Sequence, residues 1–260
     1  MLQKSAIITT LFIASVLGAI SLYGSKHSPV MHSPDHQSTL SDKDYSRGHL
    51  REKDVICRMT PRMNKELAEK GLKLGSPVFI RIFKESHELE IWMEDTKTKK
   101  FKLFKTWKVA AMSGKLGPKL AEGDLQAPEG FYYVAKSQMK PDSKFHLAFN
   151  IGYPNSYDRA HAYNGSFIMV HGNRVSAGCF AMTDPGIEEI YTLCCQALTN
   201  GQPFFRIHVF PFRMSATRMN HAKRHRWHAF WTNLKEGYDW FEEKKTPPNV
   251  ALKEKRYVFR

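Results

Sequence analysis

Three runs of alternating apolar and polar residues constrain the fold of this chain more than any other feature of its sequence. They cover residues 77–84 (PVFIRIFK), 87–94 (HELEIWME) and 101–111, and only short polar turns separate them. Alternation with a period of two is typical of strands that bury one side of a sheet. We therefore predict an antiparallel meander with one solvated face. Further apolar runs predict three more strands, at residues 145–151, 166–170 and 203–210.

Two segments carry helix signals. Residues 58–71 have Thr60 as a candidate N-cap and Pro61 in the first turn, and Gly71 ends them. Residues 185–200 place apolar side chains along one face at helical spacing. The predicted fold class is therefore mostly β with helices, and 260 residues suffice for one main domain with extensions.

Residues 169–184, MVHGNRVSAGCFAMTD, combine the residue types that nucleophilic catalysis needs. His171 ends a predicted strand, and Cys179 follows a tight turn and precedes a helix start. An imidazole within hydrogen-bond reach of a thiol can hold it as the nucleophilic thiolate. We therefore predict Cys179 as a nucleophile and His171 as its general base. The alternative from residue types alone is a buried small thiol beside a structural histidine.

Further groups are predicted to assist this pair. The backbone N–H groups of Gly178 and Cys179 are candidate donors to an oxyanion, because the small residues of the turn let a substrate carbonyl approach the backbone. A third group must orient the imidazole, and either Ser176 or a backbone carbonyl near Gly172 is suited to that role. The sequence leaves this choice open.

The pattern His-Gly, then Ser-x-Gly-Cys, then a methionine three residues after the cysteine resembles the signature of the L,D-transpeptidase (YkuD-type) catalytic domain. The run HGNRVSAGCFAMTD is similar to the YafK-type branch of that family. The resemblance implies a β-sandwich catalytic domain without a cofactor. It also implies acyl transfer through a thioester on peptidoglycan stem peptides, at the carbonyl of the third, L-centred diamino acid.

The same resemblance leaves the acceptor open. An amine from another stem peptide gives a 3→3 cross-link, water gives carboxypeptidase action, and a lipoprotein lysine gives attachment or its reversal. Some YafK-type proteins are associated with hydrolysis that detaches a wall-anchored lipoprotein. The expected partners are therefore stem peptides and a wall-anchored lipoprotein, in cell-wall synthesis or remodelling and in cell shape.

Two alanines depart from the common family pattern, which is Ser-His-Gly-Cys with an arginine two residues after the cysteine. Ala177 and Ala181 occupy those two positions here. Without a cation at the second position, another residue must meet the substrate carboxylate, and Arg174 and Lys119 are the candidates. The departure weakens the case for transpeptidation more than the case for a thioester.

Residues 113–130 are rich in glycine, proline and charge, and they predict a long surface loop. In the family, the matching stretch lies beside the catalytic cleft. Lys119, Glu122 and Asp124 are therefore candidate substrate contacts, together with Gly172 of the motif. The alternative is a solvated charged loop without such contacts.

The segment 213–260 is basic and aromatic, with three tryptophans among its lysines and arginines. Such a segment can bind nucleic acid or a membrane surface. We predict instead a helical extension whose aromatic side chains dock on the domain and whose basic face is solvated, with no nucleic-acid partner. No metal site is predicted, because the histidines that share one helical face lack a fourth ligand: His221, His225 and His228.

The first residues predict export. Lys4 precedes an uncharged run at 5–23, which is typical of a signal peptide or of a membrane anchor. The protein is therefore predicted to be periplasmic, with membrane contact only through this segment, and the pairing of Cys57, Cys194 and Cys195 is left open. The predicted divisions are 1–24 for the signal or anchor, 25–53 for a linker, 54–212 for the catalytic domain and 213–260 for the extension.

Two rival functions differ from this interpretation. A non-enzymatic periplasmic binding module would use the basic C-terminal segment and bury Cys179. A papain-like protease would place its cysteine before its histidine, whereas His171 comes first here. The net charge of +14 fits an anionic partner but does not choose among wall peptide, membrane and nucleic acid.

Overall fold

The structure, a computed structural model, describes residues 42–260, so the predicted signal or anchor at 1–24 and the predicted linker residues 25–41 lie outside the described residues. Within this range the α-helices are α1 (Asp42–Ala68), α2 (Ser156–Ala160), α3 (Asp184–Thr199), α4 (Ala216–His221) and α5 (His228–Lys244). A 3-10 turn covers Lys136–Gln138. The strands are β1 (Val78–Phe83), β2 (Glu88–Glu94), β3 (Phe101–Lys108), β4 (Gly130–Ala135), β5 (Met139–Lys140), β6 (Ala148–Asn150), β7 (Met169–His171), β8 (Phe180–Ala181), β9 (Phe204–Phe210), β10 (Val250–Lys253) and β11 (Arg256–Phe259).

Helix α1 begins well before the predicted helix. Residues 42–53, predicted as linker, are helical, and Thr60 and Pro61 lie in the helix interior. Proline inside a helix removes a backbone donor and usually breaks the helix. The helix continues here because one of its faces is buried in the main core against α3, through Val55, Met59, Met63 and Leu67. The linker prediction is therefore wrong for residues 42–53, while the division of the chain into domains stays a prediction.

The larger sheet has the strand order β3-β2-β1-β9-β4, in which β1 and β9 are parallel and the other neighbours are antiparallel. The predicted meander of β1, β2 and β3 is confirmed. The predicted solvated face is wrong for β1, because all 6 of its residues are buried, whereas the edge strand β3 keeps exposed residues. Val78, Ile80 and Ile82 join the core under α1 and α3, whereas Phe79 and Phe83 pack on the opposite face.

The C-terminal region covers that opposite face. The ring of Phe241 on α5 lies 4.7 Å from that of Phe79, between centroids, and Trp231 is 1% exposed. This confirms that the aromatic side chains of the basic segment dock on the domain. The antiparallel hairpin of β10 and β11 was not predicted, and its Tyr257 packs in the same aromatic cluster. Among residues 42–260, no helix is long and apolar enough to span a bilayer.

The smaller sheet has the order β5-β6-β7-β8 and carries the predicted catalytic motif. Strands β7 and β8 are parallel, with Val170 opposite Phe180 and His171 opposite Ala181. This register brings together a strand that ends in His171 and a strand that begins directly after Cys179. Within residues 42–260, two larger mixed sheets, the β10–β11 hairpin and five α-helices confirm the predicted fold class, mostly β with helices.

Candidate active site

His171 is the last residue of β7, and its side chain is enclosed by the sheet and by Phe145. It is 2% exposed, and its ring lies 4.8 Å from that of Phe145, between centroids. Its Nδ1 lies 2.6 Å from the backbone oxygen of Gly172. Because a carbonyl oxygen only accepts, Nδ1 carries the proton and Nε2 keeps its lone pair. Burial lowers the pKa of His171, so the imidazole is neutral near pH 7 and can act as a base.

Cys179 ends the turn that follows His171. The backbone N–H of Met169 donates to its Sγ over 3.4 Å, and the thiol donates to the backbone oxygen of Phe167 over 3.6 Å. Burial raises the pKa of the thiol, although the Met169 N–H and the charge of Lys119 lower it. The thiol is therefore protonated at rest and must lose its proton during a reaction.

His171 ends β7 and Cys179 directly precedes β8, and no hydrogen bond joins their side chains. Across the part of the chain that the structure describes, the hydrogen-bond partners of the Cys179 Sγ are the backbone groups of Met169 and Phe167. The parallel register nevertheless places Cys179 only two positions before Ala181, the partner of His171. Catalytic hydrogen bonds are often long before substrate binds and shorten in the complex. The catalytic pairing stays a prediction.

The backbone carbonyl of Gly172 orients the imidazole, which is one of the two alternatives that the sequence left open. The other, Ser176, donates to the backbone oxygen of Cys179 over 2.7 Å and so holds the turn before the thiol. Gly172 itself is buried, and a Cβ there would lie 2.5 Å from Oδ1 of Asp184. The carbonyl of Gly172 thus orients His171, and the predicted contact of Gly172 with substrate stays a prediction.

The predicted oxyanion donor Gly178 is not free in this structure. Its N–H donates to Oγ of Ser113 over 2.6 Å, and that hydroxyl donates to the backbone oxygen of Leu125 over 2.7 Å. A substrate oxygen would have to displace Ser113 to receive this N–H. Sequence reasoning missed Ser113, because nothing local marks a loop serine whose partner is 65 positions away.

Lys119 and Asp124 form a pair within the loop at 113–129. The ammonium of Lys119 lies 2.5 Å from Oδ1 of Asp124 and also donates to the backbone oxygen of Ala121, and Lys119 is 3% exposed. Burial raises the pKa of Asp124, but hydrogen bonds from Lys119 and from backbone N–H groups outweigh it, so the net pKa lies below its ordinary value. Both side chains are therefore committed to each other. The predicted substrate contacts of Lys119 and Asp124 are not supported, although the charge of Lys119 still acts on the thiol.

Glu122 and Arg174 differ from that pair because both are exposed. Glu122 accepts a hydrogen bond from the hydroxyl of Ser166 over 3.3 Å, which ties the loop to the segment before β7. The guanidinium of Arg174 makes no hydrogen bond or ion pair with any residue in 42–260, and only its backbone N–H is engaged, by Asn173. Arg174 is thus the predicted substrate cation that remains available.

A buried ion pair anchors the loop, and sequence reasoning did not find it. The ammonium of Lys84 lies 3.0 Å from Oε1 of Glu129 and donates to the backbone oxygens of Gly117 and Ala127 over 2.7 and 2.8 Å. The other carboxylate oxygen of Glu129 accepts from Nε1 of Trp231 on α5 over 2.7 Å. Lys84 and Glu129 are 2% and 0% exposed in their side chains. Both ends of the loop are therefore fixed to the larger sheet and to the C-terminal region.

Exposed apolar side chains surround the site, and we call them the apolar rim: Leu125, Phe145, Phe167 and Val175. They are 56%, 42%, 71% and 54% exposed, respectively. The ring of Phe145 is tilted against that of His171, the backbone oxygen of Phe167 faces Sγ, and the backbone oxygen of Leu125 accepts from Ser113. Exposed large apolar side chains that cluster at one place mark a binding surface.

The other cysteines and cavities lie apart from this arrangement. All four cysteines are free thiols in the structure, with Cys194 buried and Cys57 exposed. Within residues 42–260 no three potential metal ligands cluster. A cavity of about 530 Å³ lies between β4, β9 and the β10–β11 hairpin, and neither His171 nor Cys179 lines it.

Comparison with protein families selects the region that holds this site. The family model of the L,D-transpeptidase catalytic domain (YkuD) matches residues 77–202. The match begins at β1 and ends after α3, so α1 and the C-terminal region lie outside it. YafK of Escherichia coli (strain K12), which its name assigns provisionally to the L,D-transpeptidases, is 45% identical over 185 residues, which are 71% of this chain and 74% of that protein.

Two solved structures are also similar to this chain. The helical cell shape determining protein Pgp2 of Campylobacter jejuni is 18% identical, with a TM-score of 0.41, over 73% of this chain and 79% of its own. Bd1075 of Bdellovibrio bacteriovorus is 16% identical, with a TM-score of 0.37, over 71% of this chain and 85% of its own.

Proposed function

The chain belongs to the L,D-transpeptidase (YkuD-type) catalytic-domain family, and from this premise we propose that it is a cysteine acyltransferase acting on peptidoglycan stem peptides. The observation that carries the proposal is the placement of a buried neutral imidazole and a protonated thiol on neighbouring segments: His171 ends β7, and Cys179 directly precedes the parallel strand β8. With the predicted export signal, the proposal includes a periplasmic location.

In the first half-reaction, Sγ of Cys179 adds to the carbonyl carbon of the third stem residue while its proton passes to Nε2 of His171. The carbonyl electron pair moves to oxygen, and the C–N bond then breaks as His171 returns the proton to the leaving amine. A thioester remains on Cys179. In the second half, an amine or water adds to the thioester, its proton passes to His171, and the thiol leaves with that proton.

A neutral resting pair suits an enclosed site. A thiolate and an imidazolium would both lose solvation at this depth, and burial shifts both pKa values toward the neutral forms. Charge then develops only while the substrate is bound. The Gly172 carbonyl that accepts from Nδ1 would stabilise the transient imidazolium and leave Nε2 as the nitrogen that receives the thiol proton when substrate is bound.

Recognition of the substrate carboxylate is proposed for Arg174. Ala181 stands where the common pattern has an arginine, and it is fully buried, with its N–H donating to the backbone oxygen of Ala111 over 3.0 Å. That position has no room for a cation. Arg174 is exposed and unpaired among the described residues, so its guanidinium can form the bidentate contact that a carboxylate favours.

A second candidate is hydrolysis that releases a wall-anchored lipoprotein, and the apolar rim favours it. Stem peptides are polar and charged, so they offer little to Phe167 or Val175. A polypeptide joined to the stem would bring apolar side chains that can cover this surface. Water would then be the acceptor of the acyl group from Cys179.

The test is intact-mass spectrometry of the full chain after exposure to a carbapenem, with Cys179→Ala, His171→Ala and Cys195→Ala beside it. We expect one covalent adduct, none in Cys179→Ala, an adduct slowed by about 10²–10⁴ in His171→Ala, and an unchanged adduct in the Cys195→Ala control. An adduct that persists in Cys179→Ala would refute the nucleophile.

A second assay separates the two candidates. The chain is incubated with stem peptides and, separately, with lipoprotein-linked muropeptides. Products that contain 3→3 dimers but never free lipoprotein would exclude the hydrolytic candidate, and the reverse would exclude cross-linking.

A further inference from the structure

An open cavity lies between the loop at 113–129 and the start of α5. Its volume is about 520 Å³. Residues of the loop form one side, and His225, Arg226 and Trp227 form the other. None of the predicted catalytic residues lines it. The cavity therefore belongs jointly to the family domain and to the C-terminal region outside the family match.

The two sides of this cavity are held together. The Lys84–Glu129 ion pair fixes the loop, and Nε1 of Trp231 donates to Glu129 from α5. Gly117 has φ +127, and a Cβ there would overlap the indole of Trp227. The contact between loop and C-terminal region is thus built into the fold, and the cavity has a defined shape.

The cations of the cavity lack carboxylate partners. Lys115 and Arg226 form no ion pair or side-chain hydrogen bond with residues 42–260, and both are exposed. The guanidinium of Arg226 lies over the ring of Trp227 at 4.6 Å, which leaves its N–H groups available. Arg213 and Arg218 of the same region, by contrast, are paired with glutamates at 2.7 and 2.6 Å.

One carboxylate lines the cavity, and its oxygens are already used. Oδ1 of Asp124 accepts from Lys119 and from the N–H of Gln126, and Oδ2 accepts from the N–H groups of Leu120 and Ala121. Its charge is therefore compensated within the loop. The potential in the cavity comes from Lys115 and Arg226, with exposed Lys223 and Arg224 close by in the chain.

The loop that lines this cavity also contacts the turn before Cys179. Gln126 lines the cavity, while its backbone oxygen lies 3.3 Å from where a Cβ on Gly178 would be. The cavity therefore lies on the same loop as a contact of the turn that carries Cys179, so a substrate bound at Cys179 can place a second anionic group there. The apolar part of the lining, with Leu116 and Pro118, suits a peptide chain.

From these observations we infer that the cavity is a subsite for an acidic peptide, with a carboxylate held by Lys115 and Arg226. The inference rests on the proposed function, since it assigns the site to a part of the same anionic substrate remote from the scissile bond. A peptide fits better than nucleic acid, because the guanidinium of Arg226 already lies over the ring of Trp227, the one tryptophan of the lining, where a base would otherwise stack.

The experiment measures binding to the full chain carrying Cys179→Ala by isothermal titration calorimetry. The probes are a synthetic acidic stem tetrapeptide and the same peptide with its carboxylates converted to amides. The test variant adds Lys115→Gln and Arg226→Gln. A matched control adds Lys253→Gln and Lys255→Gln, which removes two exposed charges from the β10–β11 hairpin.

We expect the acidic peptide to bind at least about tenfold more tightly than the amide, because hydrogen bonds to a charged carboxylate are stronger than hydrogen bonds to a neutral amide. The test variant should lose this preference while its affinity for the amide stays unchanged, and the control should keep it. Equal binding of the two peptides, or a preference that survives in the test variant, would overturn the inference. A single-stranded oligonucleotide that displaces the acidic peptide and binds more tightly would also overturn it.

The adduct with a carbapenem tests the chemistry separately. A chain that forms the Cys179 adduct but shows no acidic preference refutes the subsite alone. A chain that keeps the preference but forms no adduct refutes the proposed chemistry and leaves the anion-binding cavity established.

Discussion

The strand pair β7–β8 and the loop at 113–129 lie on two sides of Cys179, and they are built in different ways. The strand pair holds His171 and Cys179 through backbone register and a turn closed by Ser176, all within a few residues of sequence. The loop is held by Lys84 and by Trp231, which lie 43 positions before Ala127 and 102 positions after Glu129. Residues close in sequence thus position the two predicted catalytic side chains. Residues distant in sequence hold the loop that carries the charge of Lys119.

Disturbing the loop should change the environment of the thiol without moving the strands that carry it. The following variants test this separation.

Glu129→Gln should have the largest effect. It leaves the buried ammonium of Lys84 without its carboxylate, which costs about 3–5 kcal/mol of unfolding free energy. The measurement is chemical denaturation, with Glu122→Gln as the control, since Glu122 is an exposed carboxylate on the same loop. The control should change the unfolding free energy by less than about 0.5 kcal/mol.

The double variant Lys84→Met with Glu129→Gln should recover part of that loss, because no buried charge then remains unpaired. If Glu129→Gln were as stable as the parent chain, the ion pair would not anchor the loop. The two sides of the thiol would then be less different than the contacts indicate.

Ser113→Ala should have an intermediate effect. The N–H of Gly178 loses its acceptor, so we expect a loss of about 1 kcal/mol in unfolding free energy. Acylation by a carbapenem should not slow, because the variant frees this N–H for an oxyanion. Ser137→Ala, at an exposed serine outside the loop, is the control. A slowing of acylation beyond about tenfold would show that the Ser113 hydroxyl itself serves the reacting carbonyl.

Lys119→Met should have the smallest effect, on the pH dependence of the thiol. The charge of Lys119 lowers the pKa of Cys179, so its removal raises that pKa further above the ordinary value. At a pH below the pKa, a higher pKa means less thiolate. Alkylation by neutral iodoacetamide should therefore slow at each such pH, and its profile should move to higher pH. The control is Lys115→Met, which removes an exposed cation from the same loop. An identical pH profile for Lys119→Met and the parent chain would show that the charge of Lys119 does not influence the pKa of Cys179.

Much of the fold could be predicted, because it rests on local periodicity. The meander of β1 to β3 and helix α3 followed from spacings of two and of three to four residues, and the structure has them at nearly the expected bounds. Helix α1 was predicted too short, because Pro61 signals a helix start only when tertiary packing does not override it. The prediction of a solvated face failed at β1 for a related reason. Alternation shows that the two faces of a sheet differ, but it does not show what covers the second face.

The candidate site could likewise be predicted only in part. The sequence by itself predicted the family and the residues His171 and Cys179, because residue types and their spacing in one short run are local properties. Strand β8 and its parallel pairing with β7 were not predicted. Only the tertiary structure decided that the Gly172 carbonyl orients the imidazole and that Ser113 occupies the Gly178 N–H. It also decided that Lys119 is paired, whereas the guanidinium of Arg174 has no partner within residues 42–260. The physical reason is that hydrogen bonds and ion pairs depend on distances that only the packed chain sets, and a buried charge finds its partner wherever packing brings one within reach.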